Sequence, residues 1–109
     1  MRRYEVLLTR DAERDVEEIF DYIAAHHSAA AARHVLDRVE KSIASLSSFP
    51  ERGSFPKELL ALGIRDYRQV FFKLYRLIYR TVGLRVYIYL IVDGRRDMQT
   101  LLARRLLEG

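Results

Sequence analysis

The chain has 109 residues, half of them hydrophobic and 31% charged, with a net charge of +4, two prolines and no cysteine. A length of this order buries roughly 65% of the unfolded surface in one core, so a single domain over residues 1–109 is expected to fold without staples; the lack of cysteine excludes disulfides, thiolate nucleophiles and cysteine-ligated metals. Met1-Arg2-Arg3 leads into Tyr4-Glu5 and not into the apolar core of a signal peptide, and no run approaches the ~18 uncharged residues of a membrane span, which predicts a soluble, cytoplasmic protein with no membrane partner.

Arg3 to Leu8 alternates Tyr4, Val6 and Leu8 against Arg3, Glu5 and Leu7, the period of a short strand. Thr9 stands at an N-cap position, and Asp11, Glu13 and Asp15 place negative charge toward the amino end of a helix dipole. Ala12, Val16, Ile19, Phe20 and Ile23 then follow helical spacing to about His26. Asp11, Asp15 and Glu18 read as a solvated acidic face. Ser28 caps a second helix whose inner stripe is Val35, Leu36, Val39, Ile43 and Leu46, with Asp37 and Lys41 as an outward i,i+4 pair. So short a connection makes the two helices an αα-hairpin.

Phe49 to Pro56 has loop chemistry and holds both prolines. Lys57 to Leu62 is expected to add one helical turn before Gly63. Between Arg65 and Asp97 lie three β-rich runs, separated only by Lys73-Leu74 and Val82-Gly83-Leu84, which leaves room for nothing but antiparallel hairpins. In the middle run Tyr75, Leu77, Tyr79 and Thr81 share one face while Arg76, Ile78, Arg80 and Val82 share the other. The last run places Val86, Ile88, Leu90 and Val92 on one side and Arg85, Tyr87, Tyr89 and Ile91 on the other, apolar enough on both to be a central, doubly covered strand. Asp97 caps a final helix with Met98, Leu101, Leu102 and Leu106 inward and Arg104-Arg105 near its end. The fold class is α+β in the order β-α-α-β-β-β-α, an antiparallel meander packed on an N-terminal helical hairpin.

Residues 1–54 carry 8 Lys/Arg against 10 Asp/Glu, net −2, whereas residues 55–109 carry 11 against 5, net +6. The sheet half is therefore basic and suits an anionic partner, nucleic acid or an acidic protein segment. Guanidinium forks fit phosphate oxygens and tyrosine faces stack unpaired bases, so the set Arg65, Arg68, Arg76, Arg80, Arg85, Arg95 and Arg96, interleaved with tyrosines, is the candidate site. Tyrosines beside β-branched residues are also how strands pair across a sheet, which claims several of them for structure. His26 and His27 end the first helix and His34 lies within the second, with no carboxylate at metal-site spacing, so neither metal nor cofactor is expected. The serines lack a Gly-x-Ser-x-Gly elbow and no glycine-rich phosphate loop occurs, which argues against the familiar hydrolases.

Tyr67-Arg68, Tyr75-Arg76-Leu77-Ile78-Tyr79-Arg80, Val86 to Val92 and Gly94-Arg95-Arg96-Asp97, together with Leu8 to Ile19 and the Phe49-Pro50 to Gly53 loop, make the chain resemble the RelE/ParE toxin superfamily, and most closely its ParE-like branch, also labelled plasmid-stabilisation proteins. In the ParE branch the resemblance implies a toxin of a type II toxin–antitoxin module that binds DNA gyrase and poisons it without catalysis of its own. Arg65, Arg68, Arg76, Arg80, Arg95 and Arg96 are then the expected target-binding residues, with any nucleic-acid contact indirect. A cognate antitoxin is the second implied partner, forming a hetero-oligomer with contacts assigned to Val16, Ile19, Phe20, Ile23, Val35, Val39, Tyr79 and Tyr87. In the RelE branch the resemblance implies a ribosome-dependent mRNA interferase, for which Arg76 and Arg96 match two basic positions. That branch's tyrosine is missing: Met98 to Leu102 offers no phenol, and a lost general base typically costs 10²- to 10⁴-fold in rate. A non-toxic binding module of the same fold is the third reading.

Overall fold

The computed structural model describes residues 3–107. Strand β1 (Glu5–Leu8) leads into helix α1 (Arg10–His26) and helix α2 (Ala29–Ser48), followed by a one-turn helix α3 (Lys57–Leu60). Then come strands β2 (Arg68–Phe72), β3 (Tyr75–Val82) and β4 (Arg85–Asp93), and helix α4 (Met98–Leu102) continued by a wider helical turn over Ala103–Leu107. The expected order is observed, with α3 as the predicted single turn and the strand before α1 beginning at Glu5. The helix starts follow the predicted chemistry: Thr9 Oγ1 accepts from the Ala12 N–H at 3.2 Å, Ser28 Oγ from the Ala31 N–H at 3.0 Å and Asp97 Oδ1 from the Thr100 N–H at 3.2 Å. Each satisfies a first-turn donor that would otherwise have no partner.

The sheet order is β1-β4-β3-β2, with β1 parallel to β4 and the rest antiparallel. Strand β4 is thus interior, as its two apolar faces predict. On one side the α1–α2 hairpin buries Ile23, Val35, Val39 and Leu46 against Leu77, Tyr79, Val86 and Ile88. On the other side α3 and α4 bury Leu59, Met98, Leu101 and Leu102 against Ile78 and Leu90.

One register detail overturns a prediction. Ile78 pairs with Leu90 but Tyr79 pairs with Ile88, so Tyr89 is an extra residue on β4. A one-residue bulge sends everything beyond it to the opposite face: Val86 and Ile88 face the helical hairpin, Leu90 and Val92 face α4, and Ile91 returns to the hairpin side. The expectation that Val86, Ile88, Leu90 and Val92 share one face is corrected accordingly. The sequence hides the shift because both phases of this run are apolar, so the flip exposes no polar residue to the core.

Past the end of β1, backbone groups on that edge of β4 have no strand partner, and side chains take them. β1 ends opposite Ile88, and beyond that point the Ile91 N–H donates to Asp15 Oδ2 at 3.1 Å while the Tyr89 carbonyl accepts from Arg105 Nη2 at 3.1 Å. Arg105 also grips the Asp15 carboxylate at 2.7 Å. Asp15 is therefore buried, 9% exposed, and the prediction that it belongs to a solvated acidic face is corrected. Its position three residues after Ala12 and four before Ile19 places it within the apolar stripe of α1, which is the sequence signal that marks it as inward.

Candidate functional site

A groove of about 910 Å³ runs between the helical hairpin and the far end of the sheet. Its apolar floor includes Ile19, Ile23, Val35 and Ile91, and its sheet-side rim carries Lys73, Arg95 and Arg96. Lys73 stands in the two-residue β2–β3 turn with a positive φ of 52°, and Arg95 and Arg96 come from the turn after β4. Asp15 and Glu18 of α1 and His27 and His34 at the hairpin end also line it. Arg95 folds onto Asp93, with Nη2 2.7 Å from Oδ2 and the Arg95 N–H donating to Oδ1 at 2.9 Å; that guanidinium holds the Asp93 carboxyl below its usual range. Arg96 is exposed and has no ion-pair partner among the described residues.

Six of the seven candidate arginines fall into three environments; the seventh, Arg85, stands apart, exposed on β4 with Nε donating to Glu5 Oε1 at 3.1 Å. Arg76 is internal, with 7% side-chain exposure: Nη1 and Nη2 donate to Glu58 Oε2 and Oε1, both at 2.9 Å, and Nε donates to Gln69 Oε1 at 3.0 Å. This fork-to-carboxylate geometry is the strongest form of the pair, and the Arg76 hydrogen bond lowers the Glu58 carboxyl below 4.5 against the opposing effect of burial. Gly94 lets the chain pass over the arginine, since a Cβ there would lie 2.8 Å from Arg76 Cγ and Cδ. The expectation that Arg76 is presented to a partner is corrected: its donors are consumed inside the molecule. Nothing in the sequence marks Glu58, because a carboxylate in a one-turn helix carries no periodic signal of an inward role.

Arg65, Arg68 and Arg80 form the second group, around a smaller cleft at the other end of the sheet. Arg95 and Arg96 form the third, on the groove. The two residues required by the nuclease alternative are thus divided: Arg96 lines the groove, and Arg76 is enclosed beside Glu58 and is not part of its lining.

The predicted antitoxin contacts also divide. Ile19, Ile23 and Val35 line the groove floor, while Val16, Phe20 and Val39 pack in a narrow crevice between the two helices. Tyr87 is half-exposed on β4. Tyr79 is fully buried, its hydroxyl donating to the Pro50 carbonyl at 2.8 Å and accepting from the Gly53 N–H at 3.0 Å, so its expected partner contact is corrected to a loop-anchoring role. His26 turns away from chemistry, stacked on Tyr22 at 4.2 Å with Nδ1 2.9 Å from the Tyr22 carbonyl. Among the described residues no group of three or more His, Asp or Glu is placed to hold a metal ion, and no helix is long and apolar enough to cross a membrane.

Known proteins share this architecture. A chromosomal ParDE toxin–antitoxin system from P. aeruginosa contains a chain that superposes with a TM-score of 0.69 at 15% identity, covering 84% of this chain and 96% of that one. The RelBE2 toxin–antitoxin complex of Mycobacterium tuberculosis gives a TM-score of 0.62 at 22% identity, covering 84% and 98%. At such identities the likeness establishes the fold. In sequence, toxin ParE3 of Caulobacter vibrioides is 28% identical over 100 residues, which are 92% of this chain and 96% of that protein. The family profile for the ParE toxin of the type II toxin–antitoxin system parDE matches residues 6–98, and with most of the domain inside that match the chain belongs to the ParE toxin family.

Proposed function

We propose that this protein is a toxin that inhibits DNA gyrase in the cytoplasm by binding, without bond-breaking chemistry of its own, and that a cognate antitoxin neutralises it by occupying the groove between the hairpin and the sheet. The single observation that carries this reading over a ribosome-dependent nuclease is the division of Arg76 from Arg96. A phosphoryl transition state needs its cationic groups converging on one phosphate. Here Arg76 is spent on Glu58 and Gln69, and of these two arginines Arg96 alone lines the open groove. The exposed Arg65, Arg95 and Arg96 and the half-buried Arg80 are left as target contacts. The groove itself has the chemistry of a peptide site, an apolar floor under a rim of Lys73, Arg95 and Arg96, which suits an amphipathic, acidic segment that orders on binding.

Purified protein added to gyrase, ATP and supercoiled plasmid is expected to accumulate linear, protein-linked DNA, and to leave mRNA on programmed ribosomes uncut. Codon-phased mRNA cleavage with intact plasmid would replace this reading with the nuclease one.

A further inference from the structure

The three cations on the sheet-side rim of the groove, Lys73, Arg95 and Arg96, stand on two turns that are distant in the chain, the β2–β3 turn and the turn after β4. The turns are fixed to each other, because the Gly94 N–H donates to the Leu74 carbonyl at 2.8 Å. They also share a support. Arg76 lies two residues beyond Leu74 on β3 and pairs with Val92 on β4. A Cβ on Gly94 would lie 2.8 Å from both Cγ and Cδ of Arg76, so the glycine backbone rests on the arginine stem.

A long side chain is a poor support when its head is free, since holding it still costs rotamer entropy. Here the head is held on several sides. The guanidinium donates to both carboxylate oxygens of Glu58 at 2.9 Å and to Gln69 Oε1 at 3.0 Å, and its Cζ lies 5.7 Å from the centre of the Phe71 ring. The stem beneath Gly94 is therefore enclosed and cannot swing aside. The turn after β4 has braces of its own, with the Arg95 N–H donating to Asp93 Oδ1 at 2.9 Å and the Arg96 N–H to the Asp93 carbonyl at 3.2 Å. Those bonds set the shape of the turn; the contacts with Leu74 and Arg76 set where it stands on the sheet.

We infer that Arg76 is a positioning residue for partner binding: it has no place in the lining of the groove, and through Gly94 it holds both turns so that Lys73, Arg95 and Arg96 meet an acidic segment together. The inference rests on the reading of the groove as a peptide site. Charges held in place before association gain more from a partner than mobile ones, because less ordering is left to the binding step. The arginine that the nuclease alternative would place on a phosphate thus acts from inside the molecule, on the cations that do face the groove.

Two measurements on the full chain separate the inference from that reading. Hydrogen exchange at residue 94, followed by NMR, reports the hold on the turns with no partner present. Anisotropy of a fluorescein-labelled amphipathic peptide of leucine and glutamate reports what the hold does for binding. Gly94→Ala drives a methyl group into the pinned stem, and it is expected to cut both protection at residue 94 and peptide affinity by about tenfold. Arg76→Ala/Glu58→Ala removes the stem without leaving a carboxylate buried and unpaired, and the same two losses are expected. Arg76→Lys keeps Cγ and Cδ but gives up the fork, so it is expected to lower the urea midpoint while protection and affinity stay within about twofold of wild type. Leu46→Ala destabilises the hairpin side, away from the groove lining, and is expected to leave both readouts unchanged; thermal unfolding checks that every variant is folded at the assay temperature. Wild-type protection in Gly94→Ala and Arg76→Ala/Glu58→Ala, equal loss in Leu46→Ala, lost protection with unchanged affinity, or an Arg76→Lys affinity that falls in step with its stability would each overturn the inference. A wild type that binds no peptide would refute the peptide-site reading, and exchange alone then decides whether Arg76 positions the rim: the expected pattern supports it and any other overturns it.

Discussion

The two faces of the sheet are closed by different means. On the hairpin side α1 and α2, with 17 and 20 residues, lay a continuous apolar stripe over Leu77, Tyr79, Val86 and Ile88, and burial of nonpolar area suffices. The opposite side is covered by a four-residue helix and a five-residue helix extended by the Ala103–Leu107 turn, and there a buried ion pair, Arg76 with Glu58, ties the cover to the sheet. At the sheet's flank a second pair, Arg105 with Asp15, ties the Ala103–Leu107 turn to α1 and to the bulge. The difference teaches that where a layer is too thin to hold by area, geometry-specific charge pairs fix its position.

The largest effect that separates the faces is expected from Arg76→Ala. Removing one member of a buried pair leaves the other charge without compensation, at about 3–5 kcal/mol, whereas Leu46→Ala on the hairpin side leaves a cavity at about 2–5 kcal/mol. The totals overlap, so the discriminating measurement is a double-mutant cycle by urea unfolding. Arg76→Ala combined with Glu58→Ala is expected to cost clearly less than the sum of the two single changes, while Arg76→Ala combined with Leu46→Ala is expected to be additive. Additivity in both cycles would erase the distinction between the faces.

How much of this was legible in the sequence follows the same divide. The hairpin side reads from periodicity: Thr9 and Ser28 as caps, and Val35, Val39 and Leu46 as an inward stripe, all declare themselves because a regular helix repeats its instruction every turn. The order of elements and the interior position of β4 are visible for the same reason. The polar interior is not. Glu58 and Arg76, and likewise Asp15 and Arg105, lie apart in the chain and meet only after folding, and the bulge at Tyr89 is masked by apolar residues in both phases. Chemistry marks Arg76 as special and its strand position reads as outward, because an arginine in a strand gives no sign that a carboxylate waits 18 positions earlier.

A smaller effect sharpens the comparison through pH. Glu58 has its carboxyl lowered from the ordinary 4.5 by the Arg76 hydrogen bond. A lowered folded-state value means that the stabilisation is complete above about pH 4.5, where folded and unfolded states are both ionised. It is lost as pH falls through the folded value, because the unfolded state takes up its proton first. The stability gap between wild type and Glu58→Gln is therefore expected to be widest near neutrality and to close below pH 4.5. Leu46→Ala should show a gap that does not change with pH over the same range. A Glu58→Gln gap that stays constant to pH 3 would mean that the amide keeps the arginine as well as the carboxylate does.

The smallest effect sets the floor of the scale. Asp37 and Lys41 form the i,i+4 pair predicted on the outer face of α2, 3.1 Å apart with side chains 51% and 71% exposed. An ion pair in that setting gains little Coulomb energy, spends side-chain entropy and is screened by salt, so its coupling is expected at about 0.3–0.5 kcal/mol. Measured in low salt by the cycle through Asp37→Ala and Lys41→Ala, it should disappear at 1 M salt, where the Debye length is about 3 Å. The Arg76–Glu58 coupling should survive that salt, since its charges are enclosed by protein. Two pairs with nearly equal distances, 3.1 and 2.9 Å, would then differ several-fold in energy, with burial and bidentate geometry as the cause. If both couplings vanished in salt, the enclosure of Arg76 would be too loose for the thin side of the sheet to depend on it.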